Sequence, residues 1–98
     1  MGIERLLEKA SAYIKEPDLL RIEEAYVFAE QAHHGQVRKS GEPYILHPLA
    51  VADIVVNMQV DTLSIIAALL HDVVEYTTVS LEQIRERFGD TCAMLVDG

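Results

Sequence analysis

The segment Leu69-Leu70-His71-Asp72-Val73-Val74-Glu75-Tyr76 places an imidazole and a carboxylate side by side in an apolar helical run. Glu75 follows His71 by four residues and Asp72 by three, so a helix presents Glu75 on the same face as both. Packing does not require such a cluster, and burying it unpaired costs several kcal/mol. A divalent metal ion is the simplest partner for a His-Asp pair in this position. The spacing therefore predicts a metal site at the end of a helix.

The residues before this cluster predict the central helix of an all-α bundle. Every residue from Ile65 to Leu70 is apolar, which is typical of a helix surrounded by others. This helix is predicted over residues 63–76, with Asp61 or Thr62 as its N-cap. Apolar spacing predicts further helices over residues 3–15, 19–34, 47–58 and 81–88, and another from residue 90. Strand patterns are weak, so we expect one compact bundle of five to six short helices.

Three local signals set the predicted helix ends. Pro17 is predicted to stop the first helix. Pro48 fits the first turn of the third helix, so His47 stands at a helix start and faces the preceding loop. Ser80 and Gln83 have the spacing of a capping box before the fifth helix.

Composition and charge narrow the class of protein. The 98 residues are half apolar, enough for one small core. The net charge of −8 argues against a general nucleic-acid binder. No apolar run approaches the roughly 18 residues of a membrane span, and the first residues lack a signal-peptide pattern. The lone Cys92 excludes an internal disulfide and favours a reduced, cytoplasmic setting.

Metal chemistry assigns a role to the cluster and to a loop near it. Three side chains are expected to converge as metal ligands, His47, His71 and Asp72. Such ligands suit Mn, Fe or Zn, and three of them leave the shell open for a water of lowered pKa. Glu75 can orient that water or take its proton. Arg38 and Lys39, the only adjacent basic pair, can bind phosphate or stack on a base.

Each of these features also has a simpler interpretation. An adjacent His-Asp pair is a common dipeptide, and two basic residues alone fit a solvated loop. His33 and His34 are interpreted as ordinary core or surface residues. Tyr44, beside the turn, is either a packing residue or a residue that faces the ligand.

Two segments of the sequence read AHHGQVRKSGEPYILHP over residues 32–48 and AALLHDVVE over residues 67–75. Together they resemble the RelA/SpoT homologue family. Phe88-Gly89 and the segment from Leu95 to Gly98 continue the match, which covers about residues 25 to 98. The resemblance implies an all-helical HD-domain hydrolase. This module removes pyrophosphate from the 3′ position of (p)ppGpp in the stringent response, usually with Mn²⁺.

The resemblance also implies residue roles. It maps metal ligation onto His47, His71 and Asp72. It maps reception of the guanine nucleotide onto Arg38, Lys39 and Ser40. Glu75 is placed beside the metal-bound water. These roles agree with those inferred above from side-chain chemistry. That chemistry alone does not identify the substrate, and it does not assign a role to Ser40.

Two departures from the family pattern bear on activity. The family has an aspartate where Tyr76 follows Glu75, so a neutral phenol replaces a carboxylate expected to act on the catalytic water. The family's fourth metal ligand is an aspartate downstream of the Val-Asp-Gly segment, and the sequence ends at Gly98. We therefore expect residues 1–98 to be the N-terminal part of a hydrolase domain, weak or inactive by itself.

Two other functions stay open. Tyr76 favours a degenerate HD module that binds nucleotide or regulates a (p)ppGpp synthetase without hydrolysis. An incomplete bundle leaves part of the central helix uncovered, which favours an interaction unit that forms a homodimer or swaps a helix.

Overall fold

The computed structural model describes residues 2–98 and is all-α. Within this range the helices are α1 Ile3–Ala10, α2 Glu16–Ala32, α3 Leu46–Val56, α4 Thr62–Tyr76, α5 Leu81–Phe88 and α6 Asp90–Asp97. An isolated antiparallel bridge joins Val37 to Pro43, and residues 2–98 contain no strand. The predicted bundle of five to six short helices is confirmed.

Helix α4 is the centre of the bundle. It packs against α2, α3 and α6. Its fully buried side chains are Ile65, Ile66, Leu69, Leu70 and Val73. Because burying a large apolar side chain contributes about 1.5–3 kcal/mol, this run anchors the helix in the core. The core therefore fixes the position of His71, the residue after Leu70.

The prediction that Pro17 stops the first helix is wrong. Helix α1 ends at Ala10, and turns lead to α2, which begins at Glu16 with Pro17 in its first turn. A proline is accepted there because the first amides of a helix have no intrahelical partner. Pro17 therefore opens α2.

Helices α4 and α5 begin as predicted. Asp61 is the N-cap residue of α4. At α5, the Gln83 amide donates to Ser80 Oγ at 3.2 Å, and the Ser80 amide donates to Gln83 Oε1 at 2.8 Å. These two bonds form the predicted capping box. Over the described part of the chain, no helix is long and apolar enough to cross a membrane.

Candidate functional site

Asp72 joins two histidines at the C-terminal end of α4. His47 Nε2 lies 3.5 Å from Asp72 Oδ2, and His71 Nδ1 lies 3.2 Å from Asp72 Oδ1. The Asp72 side chain is 14% exposed, whereas those of His47 and His71 are 37% and 62% exposed. The structure thus brings the three predicted ligands together, with the carboxylate sheltered and the imidazoles open to solvent.

Helix α3 supplies His47 from its first turn. The His47 amide donates to the Tyr44 carbonyl at 3.0 Å, and the following Pro48 is buried. Since α3 packs along α4, this turn lies next to Asp72. A cavity of about 310 Å³ between the two helices is lined by His47, His71 and Asp72.

Tyr44 holds the carboxylate of the cluster. Its hydroxyl donates to Asp72 Oδ2 at 3.0 Å. Its ring stacks on the buried His33 with centroids 4.6 Å apart and meets His47 edge-on at 6.0 Å. Of the two interpretations of Tyr44, packing describes its ring, but its hydroxyl belongs to the site. Sequence reasoning did not assign this hydroxyl, because Tyr44 and Asp72 are 28 residues apart.

The environment of Tyr44 keeps its hydroxyl protonated. The pKa of Tyr44 is raised to about 12 by burial first, then by the hydrogen bond and charge of Asp72, while the Arg38 charge opposes this effect. At neutral pH the phenol therefore remains a donor to the carboxylate. Asp72 receives a hydrogen bond that does not depend on either histidine.

We expect Tyr44 to make the folded protein less stable at alkaline pH. In the unfolded chain Tyr44 loses its proton near its ordinary pKa of 10.0, whereas in the folded chain it keeps the proton to about 12. Its contribution to stability is therefore fully present below pH 10 and falls as the pH rises through this window. Urea unfolding curves between pH 9 and pH 12 should show a steeper loss of unfolding free energy in wild type than in Tyr44→Phe. Parallel curves for the two proteins would contradict the assignment.

The predicted nucleotide loop lies beside the cluster of His47, His71 and Asp72. Its turn is closed by the Arg38 amide donating to the Glu42 carbonyl at 3.0 Å and the Gly41 amide donating to the Arg38 carbonyl at 2.8 Å. Gly41 has a φ of +89°, which glycine adopts at little cost. Arg38 Nη1 lies 3.4 Å from His47 Nδ1, so the loop contacts the cluster directly.

An open cavity of about 660 Å³ extends along this loop. Its lining residues are Val37, Arg38, Lys39, Ser40, Glu42, Tyr44 and Tyr76. The volume lies within the range of about 300–1,000 Å³ that is common for small-molecule sites. The predicted binding residues Arg38, Lys39 and Ser40 therefore share one cavity next to the His-Asp cluster.

Glu75 lies one turn beyond the cluster and is exposed. It lines a cavity of about 180 Å³ together with His71 and Asp97. Glu75 thus shares a cavity with His71 but not with Asp72, and this cavity differs from the one lined by Arg38 and Lys39.

The cluster supplies suitable donors for a metal ion. Within residues 2–98, no three His, Cys, Asp or Glu side chains stand already grouped to hold an ion. Here the two imidazoles contact different oxygens of Asp72. These separations of 3.2 and 3.5 Å are those of direct polar contacts, so binding of a shared ion would require the imidazoles to turn from their present positions. Two imidazoles and one carboxylate suit a divalent transition metal.

Helix α4 thus carries His71 and Asp72 near its C-terminal end, and the preceding helix α3 supplies His47. Residues 25–98 match the family model described as HD domain, and the chain belongs to this family.

Relatives of the chain narrow this class. It is 47% identical over 95 residues to a GTP pyrophosphokinase of Myxococcus xanthus, covering 97% of this chain and 12% of the relative. It is 47% identical over 93 residues to a guanosine-3′,5′-bis(diphosphate) 3′-pyrophosphohydrolase of Vibrio cholerae, covering 95% of this chain and 13% of the relative. It is 44% identical over 95 residues to the bifunctional (p)ppGpp synthase/hydrolase SpoT of Escherichia coli, covering 97% of this chain and 14% of the relative.

These matches confirm the RelA/SpoT resemblance that the sequence predicts. The chain spans about an eighth of the length of the curated relatives it matches.

Proposed function

We propose that the chain is the HD hydrolase region of a (p)ppGpp synthase/hydrolase, which removes pyrophosphate from the 3′ position of (p)ppGpp with a divalent metal ion. The observation that carries this proposal is the contact of Asp72 with both His47 and His71. The relatives of Vibrio cholerae and Escherichia coli, whose names include this hydrolysis, support the substrate.

The three metal ligands of this proposal are His47, His71 and Asp72. The side chain of His71 is 62% exposed, so it can rotate towards the other two without disturbing the core. The bound ion, Mn²⁺ or another divalent metal, would polarise a phosphoryl oxygen and lower the pKa of a bound water. Tyr44 would keep the Asp72 carboxylate in place, because its hydrogen bond comes from outside the ligand set.

The other site residues provide charge and proton transfer. Arg38 and Lys39 give an acidic chain a local basic surface, which attracts a polyphosphate. Ser40 lines the same cavity as a third nucleotide-binding residue, and its hydroxyl donates to Glu42 Oε1 at 3.2 Å. Glu75, exposed beside His71, would accept the proton of the attacking water.

The test of this proposal is product analysis with (p)ppGpp and Mn²⁺. We expect slow release of pyrophosphate with GDP or GTP from the wild-type chain, and none from His71→Ala or after addition of a chelator. Chromatographic separation of nucleotides and pyrophosphate measures both products. Release that persists at the wild-type rate in His71→Ala would disprove a role for the cluster.

Tyr76 favours a second candidate, an HD module that binds nucleotide without hydrolysing it. Tyr76 lines the large cavity next to Arg38, where the family pattern has a carboxylate. Tyr76→Asp separates the two candidates in the same assay. A rise in pyrophosphate release supports the hydrolase, whereas metal and nucleotide binding without any release supports the binding module.

We also propose that the chain forms a homodimer through the outer face of α3. Val51 and Ile54 are exposed on α3, Met58 is exposed just after the helix ends, and the exposed Leu95 lines a cavity with Val51. Exposed apolar groups on one face favour association. Light scattering should show an apparent mass that rises with concentration in wild type and stays monomeric in Ile54→Glu. A wild-type monomer at every concentration would contradict this.

A further inference from the structure

Tyr76 presents an exposed aromatic ring inside a polar cavity. It is the last residue of α4, and it is 51% exposed. It shares the cavity of about 660 Å³ with the guanidinium of Arg38 and the ammonium of Lys39. Ser40 and Glu42 also line this cavity, and the Ser40 hydroxyl donates to Glu42 Oε1 at 3.2 Å. A half-exposed ring beside two cations combines an apolar surface with anion-binding groups, which suits a nucleotide.

The other aromatic residue of this cavity is already engaged. Tyr44 stacks on His33 at an interplanar angle of 27°, and its hydroxyl donates to Asp72. Tyr76 instead meets Tyr44 at a tilt of 45° with centroids 5.7 Å apart, so their rings are not stacked face to face. Among the described residues that line the cavity, Tyr76 is therefore the aromatic side chain with a ring face open to a ligand.

We propose that Tyr76 is a specificity-determining residue, on whose ring the base of a nucleotide stacks while Arg38 and Lys39 bind its phosphates. This inference rests on the proposed nucleotide substrate and adds the residue that contacts the base. Stacking on an aromatic side chain is insensitive to the identity of the base, so Tyr76 distinguishes a nucleotide from free pyrophosphate. The cations of the cavity bind both ligands.

The test compares GDP with inorganic pyrophosphate by calorimetric titration of wild type, Tyr76→Phe and Tyr76→Ala. Tyr76→Ala should weaken GDP binding roughly 5- to 150-fold, the range expected for loss of one base-aromatic stack. Its affinity for pyrophosphate should change less than about 2-fold, since the cations remain. Tyr76→Phe keeps the ring and should bind GDP as wild type does.

Three results would overturn the proposal: no GDP binding by wild type, equal losses for GDP and pyrophosphate in Tyr76→Ala, or a loss in Tyr76→Phe as large as in Tyr76→Ala. Thermal melts of both variants show whether they are folded. The titrations involve no turnover, so they separate this inference from the proposed hydrolysis. A chain that binds GDP through Tyr76 and releases no pyrophosphate keeps the inference and removes the hydrolase function.

Discussion

Asp72→Asn is expected to abolish the stabilisation of the chain by Mn²⁺. Asp72 contacts both histidines and supplies the only carboxylate of the proposed ligand set, and an amide is a far weaker ligand. At a hundredfold excess over its Kd, a bound ion stabilises the native state by about 2.7 kcal/mol. For a domain of this size, that corresponds to a rise in Tm of roughly 10–20 °C. Wild type should show this rise and Asp72→Asn should show none.

Thermal melts with and without Mn²⁺ measure the difference. The introduced amide retains an oxygen that can accept from the Tyr44 hydroxyl, so the metal-free melting temperature of Asp72→Asn should stay close to that of wild type. Glu86→Gln is the charge-matched control, because Glu86 is exposed on α5 and lines none of the cavities around Asp72. A Mn²⁺-dependent rise of equal size in Asp72→Asn and Glu86→Gln would refute the assignment of Asp72.

The fold was predictable where a local pattern has one physical solution. An uninterrupted apolar run from Ile65 to Leu70 is stable only when it is surrounded, and α4 is the central helix. The capping box of Ser80 and Gln83 likewise satisfies its own backbone groups locally. Pro17 has two solutions, since a proline both ends one helix and fits the first turn of the next. Periodicity alone did not decide between them, and the prediction was wrong.

The residues of the candidate site could be proposed from the sequence, but their arrangement could not. The neighbouring imidazole and carboxylate were proposed from their chemistry, and His47 from its place at a helix start. The contact of Tyr44 with Asp72 depends on how α3 packs on α4, which no spacing encodes. The exposure of His71 also depends on tertiary packing. The sequence argument assumed that the whole cluster is buried, but only Asp72 is sheltered, whereas His71 faces solvent.

Leu70→Ala is expected to destabilise the chain by about 2–5 kcal/mol, because it removes a fully buried side chain from the central helix and leaves a cavity. This loss is a large fraction of the roughly 5–15 kcal/mol by which domains are usually stable. Urea unfolding measures it, and Met94→Ala is the control, since Met94 is 71% exposed and should change stability by less than about 0.5 kcal/mol. A loss below about 1 kcal/mol in Leu70→Ala would contradict the central position of α4.

Leu70→Ala also separates packing from ligation, because Leu70 immediately precedes His71 and contributes no metal-binding atom. Mn²⁺ binds the native state, so it should raise the melting temperature of folded Leu70→Ala by a similar free energy as in wild type. Asp72→Asn should show the opposite pattern, a nearly normal melting temperature and no response to Mn²⁺. If Leu70→Ala folds but does not respond to Mn²⁺, then the core does more than hold α4 in the bundle: its packing sets the geometry of the His-Asp pair itself.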